Sequence, residues 1–221
     1  MSGEERNNFI LNMIKTYTEK HATYTSEKFL KHIDRDKVKN IVEGGSRDLL
    51  DALFLESYFE SANVHSFECN SEAYEICKKN LKCGFGRIKL NDMAMSNEDG
   101  ELSFFAFDHN KTEHHDIGVS SLYRHINQHD VPQKEIKVKG IRLDTYCKLN
   151  NIEQIDYLCL DVQGAEQVVL QGLGDLLDKV TYLVLEDDSM FYTGATPVNQ
   201  HILEKFELID TICNDKLYVR R

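Results

Sequence analysis

From Val38 onward, short apolar runs alternate with stretches patterned as helices, and this alternation narrows the possible folds more than any other feature of the chain. Strand and helix units in that order build a mostly parallel sheet with helices on both faces. Candidate strands fall at 38–43, 64–68, 87–90, 157–161, 182–186, 206–212 and 217–220, and candidate helices at 47–59, 71–81, 165–177 and 198–205. The last two strands are joined by the short Asn214-Asp215 turn and read as an antiparallel hairpin. Between Asp92 and Asp144 the pattern breaks, and an insertion at about 101–143 is expected. There, alternating runs at 102–107 and 136–143 flank a polar stretch holding His109, His114, His115, His125 and His129. Such an excursion is either functional cover or a mobile loop. Ahead of the first strand, Phe9, Ile10, Met13, Ile14 and Tyr17, then Phe29, Leu30 and Ile33, suit one or two amphipathic helices. Residues 1–37 therefore read as a helical segment packed on a main domain of 38–221.

Charge and composition exclude several classes. Against 37 acidic residues stand 26 basic ones, a formal net charge of −11 that repels a phosphate backbone, so no nucleic-acid partner is expected. No stretch approaches the roughly 18 uncharged apolar residues of a membrane span. The opening MSGEERNNF lacks the basic then apolar run of a signal peptide, and a soluble, cytoplasmic protein is expected. The 6 cysteines include no C-x-x-C and read as reduced thiols.

In an open α/β sheet a ligand lies beyond the C-terminal ends of the strands. Those ends are acidic here: Glu43-Gly44-Gly45-Ser46, then Glu68, Asn91-Asp92, Asp161 and Glu186-Asp187-Asp188. The paired glycines let a nucleoside-like ligand approach the backbone, and an acid about 25 residues later can accept from ribose hydroxyls. Nicotinamide-binding folds share that much, but their G-x-G-x-x-G turn is absent, which argues against an oxidoreductase. Acids on both sides of the turn suit a cationic ligand, such as the amino group and sulfonium of S-adenosylmethionine.

The motifs resemble those of the FkbM-type S-adenosylmethionine-dependent methyltransferases from about Lys39 to Asp187. They are Ile41-Val42-Glu43-Gly44-Gly45-Ser46; Ser66-Phe67-Glu68-Cys69-Asn70, with Lys79-Asn80-Leu81 after it; and Ala94-Met95-Ser96-Asn97-Glu98-Asp99-Gly100. Further on come Arg142-Leu143-Asp144, the run of 155–166 with Asp161-Val162-Gln163-Gly164-Ala165-Glu166 at its end, and Val169-Leu170-Gln171-Gly172. The resemblance implies an α/β, Rossmann-like class I methyltransferase with a seven-stranded, mostly parallel sheet whose last strand is antiparallel. It also implies O-methylation, commonly of a sugar or other natural-product hydroxyl, so a small-molecule or glycan acceptor is the expected partner, with the oligomeric state left open. Carried over by position, Glu43, Gly45 and Ser46 would line the methionine end of the cofactor, Glu68 would hold the ribose, and Asp92 with Met93 would flank the adenine, with Gly44, Cys69 and Ala94 also at the cofactor. Asp161 would face the reacting groups. Where the family usually has Asp, Gly, Pro, Lys and Glu, this chain has Glu43, Leu49, Cys69, Cys159 and Gln163. The last two exchanges are the support for a competing reading, a non-catalytic binding or scaffold domain that keeps the fold.

Methyl transfer is an in-line displacement that needs an aligned acceptor and a sink for its proton. Two routes stay open. A histidine of the insertion, His114 or His115, could act as base. Alternatively Asp161, Glu186 and Asp187 could hold Mg²⁺ and acidify the hydroxyl, unless these acids cap strands or bind substrate hydroxyls directly. Glu166 either favours the N-terminus of its helix or joins the catalytic set, and Arg47 suits the cofactor carboxylate. Gly118-Val119-Ser120-Ser121 is positioned to return over the cofactor, and Tyr123 or Tyr192 could stack on an acceptor near the mouth.

Overall fold

The computed structural model describes residues 21–111 and 117–221. Its strands are β1 (Asn40–Gly44), β2 (Asn63–Phe67), β3 (Ile88–Asn91), β4 (Ala94–Ser96), β5 (Gly100–Phe107), β6 (Arg124–His125), β7 (Gln133–Arg142), β8 (Ile155–Leu160), β9 (Val180–Glu186), β10 (Tyr192–Thr193), β11 (Phe206–Ile212) and β12 (Asp215–Arg220). The α-helices among the described residues are α1 (Glu27–Leu30), α2 (Leu50–Tyr58), α3 (Ser71–Asn80), α4 (Leu143–Leu149), α5 (Glu166–Gln171) and α6 (Gln200–Leu203).

Seven strands form one sheet in the order β11-β12-β9-β8-β1-β2-β3. Pairing is parallel from β9 through β3, while β12 runs antiparallel to both β9 and β11. The seven-stranded, mostly parallel expectation holds. Its physical basis is clearest in β8, where all six residues are buried because both faces of a central parallel strand are covered. Successive side chains divide between two cores. Leu158 and Leu160 join Val42, Leu183 and Leu185 against Leu143 and Tyr146 of α4 and Val169 of α5. Tyr157 and Cys159 join Ile41, Val64 and Val184 against Ala52 and Leu55 of α2 and against Tyr24, Phe29, Leu30 and Ile33 of the preceding segment.

Several boundaries differ from the sequence reading, each for a local reason. Helix α2 begins at Leu50 rather than Arg47, because Arg47 (φ 53°) and Leu49 (φ 71°) both take left-handed backbone and spend residues 46–49 on a turn. The stretch 165–177 splits into α5 and a 3₁₀ segment, Gly174–Lys179, at Gly174 with φ 50°. The sequence reading passed over α4, although Leu143, Tyr146 and Cys147 bury one helical face at i, i+3 and i+4. The hairpin turn is Cys213-Asn214, one residue earlier than expected, since Ile212 pairs with Asp215 and Cys213 supplies the positive φ.

Residues 94–142 add a second sheet, β4-β7-β5, in which β5 and β7 pair antiparallel over eight residues. From it, Phe105 bridges to Ser121, and β6 pairs with β10, so the added layer folds back over the C-terminal ends of the main strands. In the segment ahead of β1, a 3₁₀ turn (Thr23–Thr25) and α1 are the helical elements among the described residues. The expected helical pattern of Phe9 to Tyr17 lies outside those residues.

Candidate functional site

A cavity of about 250 Å³ opens beyond the ends of β1, β2 and β8, roofed by the added layer. Strand β1 leaves through Gly44-Gly45-Ser46, and the Gly45 and Ser46 amides donate to Phe67 O at 3.2 and 3.1 Å, while Asp161 N donates to Gly44 O at 3.1 Å. Three strand ends are thereby tied together. Gly45 sits at φ +84°, and a Cβ there would overlap the Asp161 carbonyl oxygen, so only glycine permits this close approach. Beside it, Glu68 Oε2 accepts from Arg47 N and Oε1 from Asn70 N, both at 2.8 Å. Backbone groups of two loops thus aim this carboxylate into the cavity.

Polar and apolar groups share the lining: Gly45, Arg47, Asp51, Asp161 and Gln163 supply the first, and Met93, Ala94, Met95, Phe104 and Leu122 the second, with Glu68 and Cys69 also on the wall. Of the residues singled out in the sequence, Gly44, Gly45, Arg47, Glu68, Cys69, Met93, Ala94 and Asp161 meet on this lining, as do Gly118, Val119 and Ser120. Others stand apart from it. Glu43 is fully buried behind the turn, its Oε1 accepting from Tyr24 OH at 3.0 Å and its Oε2 from Ser66 Oγ at 2.5 Å. Ser66 Oγ also bonds Ser46 Oγ at 2.7 Å, which holds Ser46 in the same buried network. Asp92 is exposed and off the lining, because the chain bends after β3 and turns Met93 and Ala94 inward instead. Glu166 is buried under the 162–165 loop, accepting from Val162 N at 3.2 Å. Cys159, wholly buried opposite Glu43, faces away from the cavity, whereas Gln163 is on it. His114 and His115 lie outside the described residues.

The Mg²⁺ expectation for Asp161, Glu186 and Asp187 is corrected by the geometry. Among the described residues no group of three or more His, Cys, Asp or Glu side chains is arranged to hold a metal ion. Asp187 is occupied as a loop anchor, Oδ1 accepting from Ser189 Oγ at 2.6 Å and Oδ2 from Val198 N at 3.1 Å. Asp161 Oδ1 is taken by Gln163 Nε2 at 2.7 Å.

Asp51 is a lining residue that the sequence reading did not pick out. An acid in the first turn of the helix after a glycine turn was the available signal. Its Oδ1 takes His21 Nδ1 at 2.9 Å and Ala22 N at 3.2 Å, and Arg47 Nη2 approaches Oδ2 at 3.9 Å.

Burial dominates the electrostatics. It pushes Glu68 and Glu43 to about 7 and Glu166 to about 8, against the hydrogen bonds that favour their ionised forms. Asp161 rises to about 6 for the same reason, opposed by Gln163. Carboxyls that bind protons more tightly when folded lower stability as pH climbs from the unfolded value of about 4.5 through these raised values. The melting temperature of the ligand-free protein is therefore expected to fall as pH rises from about 4.5 to about 8. Tyr24→Phe removes a donor to the ionised Glu43, so its deficit, about 1 kcal/mol, should grow above pH ~7. An equal deficit at both ends of this range would show that Tyr24 acts by packing alone.

The family model described as "Methyltransferase FkbM domain" matches residues 39–217. The 2-O-methyltransferase NoeI of Sinorhizobium fredii (strain NBRC 101917 / NGR234) is 27% identical over 177 residues, spanning 76% of this chain and 72% of that protein. Among solved structures, StiE O-MT (residues 942–1257) aligns over 37% of this chain and 42% of its own, with TM-score 0.27 and 13% identity. M. capricolum TrmK, solved with S-adenosylhomocysteine, aligns over 90% of this chain and 67% of its own, with TM-score 0.43 and 11% identity. The family match runs from the residue before β1 into β12 and so takes in the glycine turn, Glu68, Asp161 and the roof of the cavity alike; the chain belongs to the FkbM family of methyltransferases.

Proposed function

We propose that the protein transfers the methyl group of S-adenosylmethionine to a hydroxyl oxygen of a sugar or glycan-borne acceptor. The observation that carries this reading is Glu68: a buried carboxylate with each oxygen on a backbone N–H, beside a glycine turn, is built to accept from a vicinal diol such as ribose. The donor set fits the rest of the cofactor. Gly44 and Gly45 leave backbone exposed for close approach, the apolar lining of Met93, Ala94 and Phe104 suits an adenine face, and Arg47 together with Asp51 and Asp161 suits an amino-acid zwitterion. When bound, S-adenosylmethionine supplies an electrophilic methyl carbon on a sulfonium, open to displacement by an acceptor oxygen.

Around that chemistry the chain's residues have three tasks. Asp161 supplies negative charge at the end of β8, where it complements the ammonium and sulfonium. The roof, Gly118 to Leu122, excludes water, and Tyr123 beside it offers surface to the acceptor, whereas Tyr192 is buried against Gly164. For the acceptor's proton the candidate is His115, because Glu166 is buried off the lining with its carboxylate on Val162 N. Support for oxygen as the acceptor atom comes from the relative named as a 2-O-methyltransferase, and a hydroxyl-rich acceptor agrees with it. The same reading puts the reaction in the cytoplasm, supported by Cys69, Cys77, Cys83, Cys147, Cys159 and Cys213 all being free thiols. Among the described residues no helix is long and apolar enough to cross a membrane.

Calorimetric titration with S-adenosylhomocysteine tests the reading. Binding is expected to release protons near pH ~6.5, because Glu68 and Asp161 are held at about 7 and about 6 when free and ionise against the ligand's hydroxyls and ammonium. The apparent enthalpy should then vary with the ionisation enthalpy of the buffer, and that variation should shrink near pH ~8, where both carboxyls are already ionised before the ligand arrives. A well-folded protein that binds no S-adenosylhomocysteine at either pH overturns the proposal.

A further inference from the structure

The loop after β8 carries more than Asp161. Gln163 stands in left-handed backbone at φ 54°, followed by Gly164 at φ 86°, so two consecutive residues leave the ordinary regions just where the strand end meets the cavity. Gly164 is pressed against Tyr192, since a Cβ there would come within 2.9 Å of the ring. Three hydrogen bonds hold Gln163 in place. Its Nε2 donates to Asp161 Oδ1 at 2.7 Å, its Oε1 accepts from Tyr192 OH at 2.9 Å, and its backbone oxygen accepts from Ser121 Oγ at 2.6 Å. Ser121 belongs to the layer roofing the cavity, and Tyr192 belongs to β10, which is paired to that layer through β6.

The sense of the amide follows from its neighbours. A carboxylate accepts only, so the nitrogen must face Asp161 and the oxygen is left to take the Tyr192 hydroxyl proton. A carboxylate held at one oxygen by a donor of fixed direction is restricted in rotation, and its second oxygen is directed in turn. Resting on the function proposed above, we infer that Gln163 is the positioning residue of this site: it fixes the Asp161 carboxylate toward the amino group of the cofactor and links that carboxylate to the roof through Tyr192 and Ser121. The cofactor-binding and acceptor-facing walls are thereby joined through one side chain.

The test compares two ligands on wild type, Gln163→Ala and Tyr192→Phe, with melting temperatures recorded for each. S-adenosylhomocysteine carries the amino acid part, and 5′-methylthioadenosine has the nucleoside without it. Gln163→Ala is expected to weaken S-adenosylhomocysteine about tenfold while leaving 5′-methylthioadenosine unchanged, and Tyr192→Phe to do the same to a smaller degree. Equal weakening of both ligands, or of neither, overturns the inference. A readout without ligand separates it from the function on which it rests. In the free protein the side-chain amide resonances of Gln163 should move in both Asp161→Asn and Tyr192→Phe. If wild type binds no S-adenosylhomocysteine, the proposed function falls and this spectrum decides the positioning role, unmoved resonances overturning it.

Discussion

Glu68→Ala is expected to weaken S-adenosylhomocysteine binding at least about 100-fold, because two hydrogen bonds to a buried charged acceptor are lost at once, each worth about 1.5–3 kcal/mol. The protein should still fold, since the carboxylate is a costly buried acid whose removal also ends its desolvation penalty. Its absence does leave Arg47 N and Asn70 N without their partner, so a modest drop in melting temperature accompanies the loss. Glu68→Gln separates the two effects. The amide keeps the shape and one acceptor oxygen but has a nitrogen where a backbone N–H now points, and binding should fall between wild type and Ala. Calorimetry on all three proteins checks the order, and an Ala variant that binds like wild type would remove the ribose assignment.

The second large effect divides two neighbouring glycines. Gly45→Ala forces a side chain at φ +84° into the Asp161 carbonyl, a backbone atom that cannot yield, and should cost about 3 kcal/mol or more. In a domain of this size that lowers the melting temperature by roughly 6–12 °C. Gly44→Ala meets the end of the Met95 side chain and Val162 Cγ1 instead, and Met95 can swing aside. It would therefore keep most of the stability and lose ligand affinity, since both the new methyl and the displaced Met95 enter the cavity. Thermal melts and S-adenosylhomocysteine titrations of the pair should come out in opposite order, with stability failing first at 45 and binding first at 44.

The sheet was legible in the sequence because its central strands are buried on both faces and stand out as short continuous apolar runs, β8 most plainly, with all six residues covered. Strand-end chemistry was legible for a related reason, as acids and glycines immediately after such runs have few other places to be. What escaped depends on the tertiary fold. The start of α2 was misjudged because Leu49, fully buried in left-handed backbone, gives no glycine signal. Phe104 and Leu122 reach the cavity only because β5 and the Ser121 bridge fold back over the main strands, a contact that no local pattern encodes. Acids also look alike in sequence. Glu43, Glu166 and Asp187 read as site residues on the same grounds as Glu68, yet their hydrogen bonds are spent on Tyr24 and Ser66, on Val162, and on Ser189 and Val198.

The family match begins at 39, yet Tyr157 OH donates to Tyr24 O at 2.7 Å, and the same Tyr24 side chain reaches Glu43 on the neighbouring strand. Residues 24, 43 and 157 are therefore coupled through hydrogen bonds rather than three independent positions. A chimera that takes β1 and β8 from a relative while keeping this leading segment would strand a hydroxyl, a carboxylate or both in an apolar interior. In this chain a cut at the edge of the shared domain severs those contacts, so the unit that must be moved together includes Tyr24.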